Sequence, residues 1–495
     1  MRHILALLAL TWSCHAPRLD VGPKPPNVVL IMADDMGWSD LGCYGGEIAT
    51  PHIDSLARDG VLFTQFHNNA KCTTTRASVL TGTYPRDAGG TLSPEVPTVA
   101  ERLAALGYRT AFSGKWHQGS QAPSRPLDRG FESSYGLLDG CCNFFDPAQP
   151  DPDFKGGRVR VFCDGEERVT EFPEDYYTTD AFTERAVERI EAFGAEGAPF
   201  FLYLPYTAPH YPLHARPEDI ASQEGRYDVG WEEIARARFE RQLELGLFEE
   251  GTVPAPMERE VTSWETAQHK EWQADRMEVY AAMVTSMDDG VGEVLAALER
   301  AGVAEDTLVL FLSDNGACAE LPGGERPERI PGPKEHYVTC GPGWAWAQNT
   351  PFRRYKQWVH QGGVATPLVA RWPAGIKPGT LTREPGHIID LLPTFLELAG
   401  AGALPEELDG ESLAPVLAGG ERSSPPEWGW LWSGNRAYRR GAWKISWEKK
   451  WKRWELYNIE ADPTEAKDLS EVLPELTEEL AGLWESWRTR TRKRG

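Results

Sequence analysis

Four stretches of the chain are almost unbroken runs of apolar, β-branched or aromatic residues: NVVLIMA at 27–33, YRTAFS at 108–113, FFLYLPY at 200–206 and TLVLFLS at 307–313. Three of them lack the alternation of a half-exposed strand, so they are predicted to be strands buried on both faces. Between them the period changes. Residues 98–106, 180–193 and 279–298 place apolar side chains at helical spacing, the last through Val279, Met283, Val291, Val294 and Leu298. Strands alternating with helices predict an α/β fold, with a large, mostly parallel sheet flanked by helices.

Two further regions read differently. Residues 216–276 are highly charged and hold Trp231, Trp264 and Trp272, which predicts an insertion of mostly surface helices. Beyond about residue 405 the pattern becomes that of short antiparallel strands, at 428–432, 436–440, 443–447 and 454–459, closed by an amphipathic helix at 473–488. The predicted organisation is a leader over 1–23, a main domain over 24–404 and a small C-terminal α+β subdomain over 405–495. The basic tail 488–494 reads as a solvated terminus.

Each of the four apolar runs stops at residues capable of chemistry. The first stops at Asp34-Asp35, the second at Lys115 and His117, the third at His210 and the fourth at Asp314-Asn315. Open α/β sheets bind ligands beyond the carboxyl ends of their strands, so these groups are expected on one rim. Adjacent carboxylates repel unless a cation intervenes. With Asp314 and Asn315 they form an all-oxygen set suited to calcium or magnesium rather than zinc. Either pair alone is equally a turn or cap; together, at strand ends, they favour a metal.

A fifth segment, KCTTTRASVLTG at 71–82, places Cys72 and Arg76 four apart, on one face of a short predicted helix. Cys72 falls near its N-terminus, where free N–H groups favour an anion.

The composition limits the alternatives. With 41% hydrophobic and 25% charged residues over 495 positions, the chain is globular rather than disordered. A net charge of −23 argues against a nucleic-acid partner. It also requires any pocket for an anion to be locally positive, and Arg76, Lys115 and Lys356, with up to two histidines, are the expected source. The N-terminus combines Arg2, a short apolar run at 4–10 and Ala16, resembling an export signal; the run is too short to span a membrane. Thr11 and Trp12 disfavour Cys14 as a lipoprotein cysteine. The eight cysteines, at 14, 43, 72, 141, 142, 163, 318 and 340, are too sparse for a disulfide scaffold, though export would be compatible with one or two bridges.

The segments 27–35 and 72–82 together resemble the type I sulfatases, of the alkaline-phosphatase-like superfamily. Further matches are Gly114-Lys115-Trp116-His117, Ala208-Pro209-His210, Ser313-Asp314-Asn315-Gly316 and PFRRYKQWVHQGG at 351–363. The resemblance covers roughly residues 26–470. It implies a mixed, mostly parallel sheet and hydrolysis of a sulfate ester, with release of inorganic sulfate. It implies that Cys72 is oxidised to formylglycine, whose hydrate attacks sulfur and later expels sulfate by elimination. It also implies calcium ligation by Asp34, Asp35, Asp314, Asn315 and the modified Cys72, with Arg76 fixing the nucleophile. Lys115 and Lys356 would bind sulfate oxygens. His210, with Lys356, would assist the leaving alcohol, and His117 would take the proton in the elimination.

For His214 and His360 a structural place and a place beside the substrate are balanced; His52 and His67 read as structural. Trp344, Trp346 and Trp358 either border a sugar subsite or pack the junction of the two domains. Export and the motifs together point to a sulfated small molecule or polysaccharide as substrate, in the periplasm or outside the cell, and to a formylglycine-generating maturation enzyme as partner. Two other readings stay open: a phosphoester or phosphonate hydrolase of the same superfamily, and an inactive glycan-binding homologue. The family motif has proline two residues after the cysteine, where this chain has Thr74. Conversion therefore rests on a departed motif. Mass analysis of the peptide containing residue 72, from active protein, is expected to show formylglycine; full activity with only unmodified cysteine would sink the covalent mechanism.

Overall fold

The computed structural model describes residues 24–85 and 91–493. The leader at 1–23, Cys14 and the last residues of the basic tail lie outside the described residues. All four apolar runs form strands. They are Asn27–Ala33 (β1), Arg109–Lys115 (β3), Phe200–Pro205 (β7) and Thr307–Ser313 (β8). Seven more strands join them: Val61–His67 (β2), Ser133–Leu137 (β4), Phe162–Asp164 (β5), Glu167–Arg168 (β6), Ala365–Arg371 (β9), Thr380–Thr382 (β10) and Gly386–His387 (β11). Their order is β10-β2-β9-β8-β1-β7-β3-β4-β5-β6, with β11 also on β2. The centre, β8-β1-β7-β3-β4, is parallel, while β9 runs antiparallel to both its neighbours.

The unbroken apolar runs are explained by burial on both sides. Along β1, Val29, Ile31 and Ala33 enter one core cluster, while Val28, Leu30 and Met32 enter the other. Successive side chains of a strand alternate faces, so a strand covered on both can have no polar face.

A second sheet of four antiparallel strands follows: Glu427–Trp432 (β12), Asn435–Arg440 (β13), Trp443–Glu448 (β14) and Arg453–Asn458 (β15). The Pro474–Lys493 helix packs on it. Among the described residues no helix is long and apolar enough to cross a membrane.

The segment 216–276 departs from the expected surface insertion. The long helix begins inside it, at Lys270, and runs to Arg300. Trp231 and Trp272 are buried, and Trp231 meets Trp264 and Trp344 edge-on. Its charge pattern is deceptive, because Arg238 of the Trp231–Glu244 helix is buried and donates to Asp40 at 2.7 Å and to both oxygens of Glu47 at 2.7 and 2.8 Å. Tyr280 of the long helix donates to the other Asp40 oxygen at 2.7 Å. This network clamps the segment to the loop after β1. No described cysteine is in a disulfide; Cys43, Cys72, Cys141, Cys142, Cys163, Cys318 and Cys340 are all free.

Removing one partner of a buried ion pair strands the other charge. Arg238→Ala is therefore expected to lower stability by about 3–5 kcal/mol, read from the midpoint of urea unfolding.

Candidate active site

The site follows from strand register. Ala33 of β1 pairs with Ser313 of β8, in parallel. The next residues, Asp34 and Asp314, therefore leave the sheet side by side. Asp35 is held with φ at +64°, a conformation unusual for a residue with a side chain. Its N–H donates to Asp314 Oδ1 at 3.2 Å. Asn315 Nδ2 donates to Asp35 Oδ1 at 2.7 Å. All four residues are buried.

Three buried cations meet these carboxylates. Arg76 Nε and Nη2 both donate to Asp314 Oδ2, at 3.0 and 2.7 Å, and Nη1 donates to the Lys115 carbonyl at 2.8 Å. Lys115, the last residue of β3, pairs with Asp34. Lys356 donates to Asp35 Oδ2 at 2.7 Å and lies 3.2 Å from Glu320. Each of the three cations expected to contribute to a positive pocket is thus matched by a carboxylate.

Cys72 opens the helix Cys72–Thr81, which stops at Gly82 in the left-handed region at φ +65°. It is buried, within electrostatic reach of Arg76, Lys115 and Lys356. Thr74 ties down the first turn of this helix, its hydroxyl meeting the carbonyls of Asn69 and Lys71, each at 2.8 Å. Proline has no such donor.

His210 and His117 complete the cluster. His210 Nε2 lies 3.3 Å from Asp35 Oδ2 and 3.4 Å from Lys356 Nζ. His117 joins from just beyond the end of β3. It does not continue the extended strand from Lys115 but sits at φ +54°, with its ring against Gly140 and its buried Nδ1 without a hydrogen-bond partner among the described residues. Burial, then nearby Lys115, Arg76 and His210, hold the His117 pKa well below the usual histidine range. Burial, then Lys356 and Lys115, do the same to His210. Both shifts favour the neutral ring.

Other residues resolve to structural places. His214 is buried between the Phe144 N–H, at 3.3 Å, and the His336 carbonyl, at 2.8 Å. His360 Nε2 bonds Glu455 at 2.7 Å. His67 meets the Gly386 carbonyl and Gln361, and His52 packs on Gly292. Trp344 packs among Tyr227, Trp231 and Trp264, and Trp346 lies against the same core. Trp358 lines an open cleft of about 570 Å³ that reaches Lys356. A larger cavity, about 840 Å³, borders β2 and the second sheet; His67 lines it, but none of the residues clustered around Asp34 and Asp314 does.

Glu320 belongs to no motif, and sequence reasoning missed it. It receives Gln357 Nε2 at 2.5 Å and Tyr211 OH at 3.1 Å, and lies 3.7 Å from Lys71. Lys356 and then Lys71 hold it ionised, against burial and Asp35, at a pKa of about 2. Lys71 was legible only as the neighbour of Cys72.

The sulfatase family profile matches residues 26–401. The chain belongs to the sulfatase family. A second profile, the N-sulphoglucosamine sulphohydrolase C-terminal region, matches residues 353–486. The chain is 32% identical to an uncharacterised sulfatase of Schizosaccharomyces pombe, over 93% of each chain. It is 33% identical to an arylsulfatase of Klebsiella aerogenes, over 76% of this chain and 87% of that one. Among solved structures it resembles Ps i-CgsB in complex with k-i-k-neocarrahexaose, with a TM-score of 0.73 and 27% identity over 94% of this chain and 93% of that one. This sulfatase is thus a sulfuric ester hydrolase with the alkaline-phosphatase-like fold.

A methyl group on Gly140 would lie 2.5 Å from His117 Nε2 and 2.6 Å from its Cε1. Gly140→Ala is expected to shift that ring and to lower kcat by about 10²-fold, while costing no more than about 1–3 kcal/mol of stability. Turnover of 4-nitrophenyl sulfate and thermal unfolding check the two parts.

Proposed function

We propose that this sulfatase releases sulfate from a sulfated carbohydrate, using formylglycine made from Cys72 and one calcium ion. The observation that carries the reading is the meeting of Asp34, Asp35, Asp314 and Asn315 beside Cys72, with Arg76, Lys115 and Lys356 around them.

The residues fit a calcium ion. Asp34 Oδ1 and Asn315 Oδ1 are buried oxygens without a hydrogen-bond partner among the described residues. Burial pushes the Asp34 carboxyl up to about 8, against the pull of Lys115 and with Asp314 and Asp35 adding to the rise. A hard divalent cation relieves such crowding, and an all-oxygen set suits calcium over zinc. Asp34, Asp35, Asp314, Asn315 and the modified residue 72 would hold it. The ion would supply positive charge against sulfate oxygens, and the hydrated formylglycine would supply an oxygen nucleophile.

The chain's own residues supply the rest. Arg76 grips Asp314 through two bonds and aligns the oxygen set. Lys115 and Lys356 carry ammonium groups suited to sulfate oxygens. His210 Nδ1 lies 2.6 Å from the Tyr211 carbonyl, which only accepts, so Nδ1 holds the proton of the neutral ring. Its Nε2 is then an acceptor, and Lys356 is the donor toward it. The proton for the leaving alcohol accordingly comes from Lys356, which His210 orients. His117, with Nδ1 unpartnered among the described residues, is suited to accept a proton.

The oligosaccharide held by Ps i-CgsB supports a carbohydrate substrate. The leader at 1–23 supports export to the periplasm or the exterior, and Cys72 within its helix motif supports a maturation enzyme that acts before folding. Protein made alongside that enzyme is expected to hydrolyse 4-nitrophenyl sulfate faster than 4-nitrophenyl phosphate. Chelation should abolish turnover, with calcium restoring it, and Cys72→Ala should lower kcat by at least about 10³-fold. Phosphate preference, or full activity after chelation, would overturn the reading.

A further inference from the structure

We propose that the cleft over Lys356 holds a second anion-binding subsite, formed by Lys449 and Lys450, which selects oligosaccharides carrying a negative group beyond the sulfate that is hydrolysed. The inference rests on the carbohydrate-sulfatase reading and extends it.

The cleft of about 570 Å³ is shared by two parts of the chain: Glu320, Lys356 and Trp358 on one side, and Asn435, Lys449 and Lys450 of the second sheet on the other. Residues 449–453, the tip between β14 and β15, read KKWKR, in a chain of net charge −23. A basic tip over a sulfate-ester site is a local reversal of the molecule's charge.

The tip is fixed relative to the reacting groups. Asn435 Oδ1 accepts from the Lys449 N–H at 3.0 Å, and Asn435 Nδ2 donates to the Gln357 carbonyl at 3.2 Å. The Gln357 N–H donates to the Ala70 carbonyl at 2.8 Å, two residues before Cys72. The Lys449 stem lies along Gly434, where a methyl group would come within 2.9 Å of its Cδ.

Lys449 and Lys450 are exposed, the Lys450 ammonium lying 4.9 Å from the centre of the Trp451 ring. Among the described residues, the one ion pair of Lys450 is with Glu260 at 3.2 Å, with both side chains about half exposed. Such an exposed pair is weak and yields readily to a competing anion. Trp358 offers a ring surface to a sugar, while Arg354 covers one of its faces at 4.5 Å. A substrate whose sulfate meets Lys356 and whose chain runs along Trp358 thus brings its next unit to Lys449 and Lys450. Their shared ligand chemistry is a sulfate or carboxylate substituent on that unit.

The test measures competitive inhibition of 4-nitrophenyl sulfate turnover by three hexasaccharides: a carrageenan, carrying sulfates; a hyaluronan, carrying carboxylates; and neutral cellohexaose. The wild type is expected to bind at least one anionic hexasaccharide more tightly than the neutral one. Lys449→Ala with Lys450→Ala should raise that Ki about tenfold and flatten its salt dependence, leaving the KM for 4-nitrophenyl sulfate unchanged. The arginine pair at the same positions should retain inhibition. The carrageenan and hyaluronan arms tell which anion is read. Equal Ki in wild type and double variant, or neutral cellohexaose binding as tightly, would overturn the proposal. Wild-type protein that fails to turn over 4-nitrophenyl sulfate would count against the mechanism alone, and calorimetric binding of the same hexasaccharides would then decide the subsite.

Discussion

The buried pairing of Arg76 with Asp314 is the constraint from which much of the structure follows. Parallel, in-register β1 and β8 put two carboxylates side by side at the floor of the site, and Asp35 adds a third. Taking such charges out of water costs several kcal/mol each unless they are matched. The matching cations arrive from three separate segments: the helix after β2, the end of β3 and the loop before β9. Each of these segments is therefore held to the strand ends by electrostatics as well as by apolar packing. Asp35 and His117, with left-handed backbones at φ +64° and +54°, sit where that network determines the local geometry.

The loop that brings Lys356 depends on the second sheet. Arg354 and Gln357 in it have φ of +68° and +76°, which costs energy for residues with side chains. Arg354 is held by Glu258 at 2.8 Å and Glu448 at 2.7 Å, and Arg353 by Glu455 at 3.2 Å. His360 bonds the same Glu455, and Lys444 pairs with Glu465, whose other oxygen receives the Gln361 N–H. The C-terminal strands are thus part of the active site's scaffold. The buried glutamates of β14 and β15 are the anchors for a catalytic loop that has no regular structure of its own.

What the sequence made legible were features with a local cause. Burial on both faces wrote β1, β7 and β8 as apolar runs, and strand ends wrote Asp34-Asp35 and Asp314-Asn315 as adjacent polar pairs. The helix at Cys72 was legible from its spacing and from Gly82. Residues whose place is set by distant partners were not. Arg238 looks like a surface charge in a charged helix, yet it is buried because Asp40 and Glu47, nearly two hundred positions away, wait for it. Glu320 is placed by Lys356, Lys71, Gln357 and Tyr211, none of them its neighbour in the chain. β2 and β9 mix polar residues with apolar ones, and Pro367 interrupts the pattern of β9. His214 and His360 were ambiguous for the same reason: a lone histidine does not announce whether its partner is a substrate or a backbone carbonyl.

The pairing of cations with carboxylates also changes how this acidic protein attracts an anion. Three matched pairs leave the floor close to neutral, so the positive potential must come from elsewhere. A divalent cation on the oxygens would supply most of it. Lys71, beside Cys72, and the basic tip at 449–453 would supply the rest around the mouth. The overall charge of −23 matters less than its size suggests. At physiological ionic strength the Debye length is about 8 Å, so exposed carboxylates on distant faces are largely screened at the cleft. The charges that act on an extended anionic chain are those lining the cleft to Lys356, where the loop before β9 and the turn after β14 both place lysines. The acidity of the whole and the preference of the site are therefore compatible, because they are set over different distances.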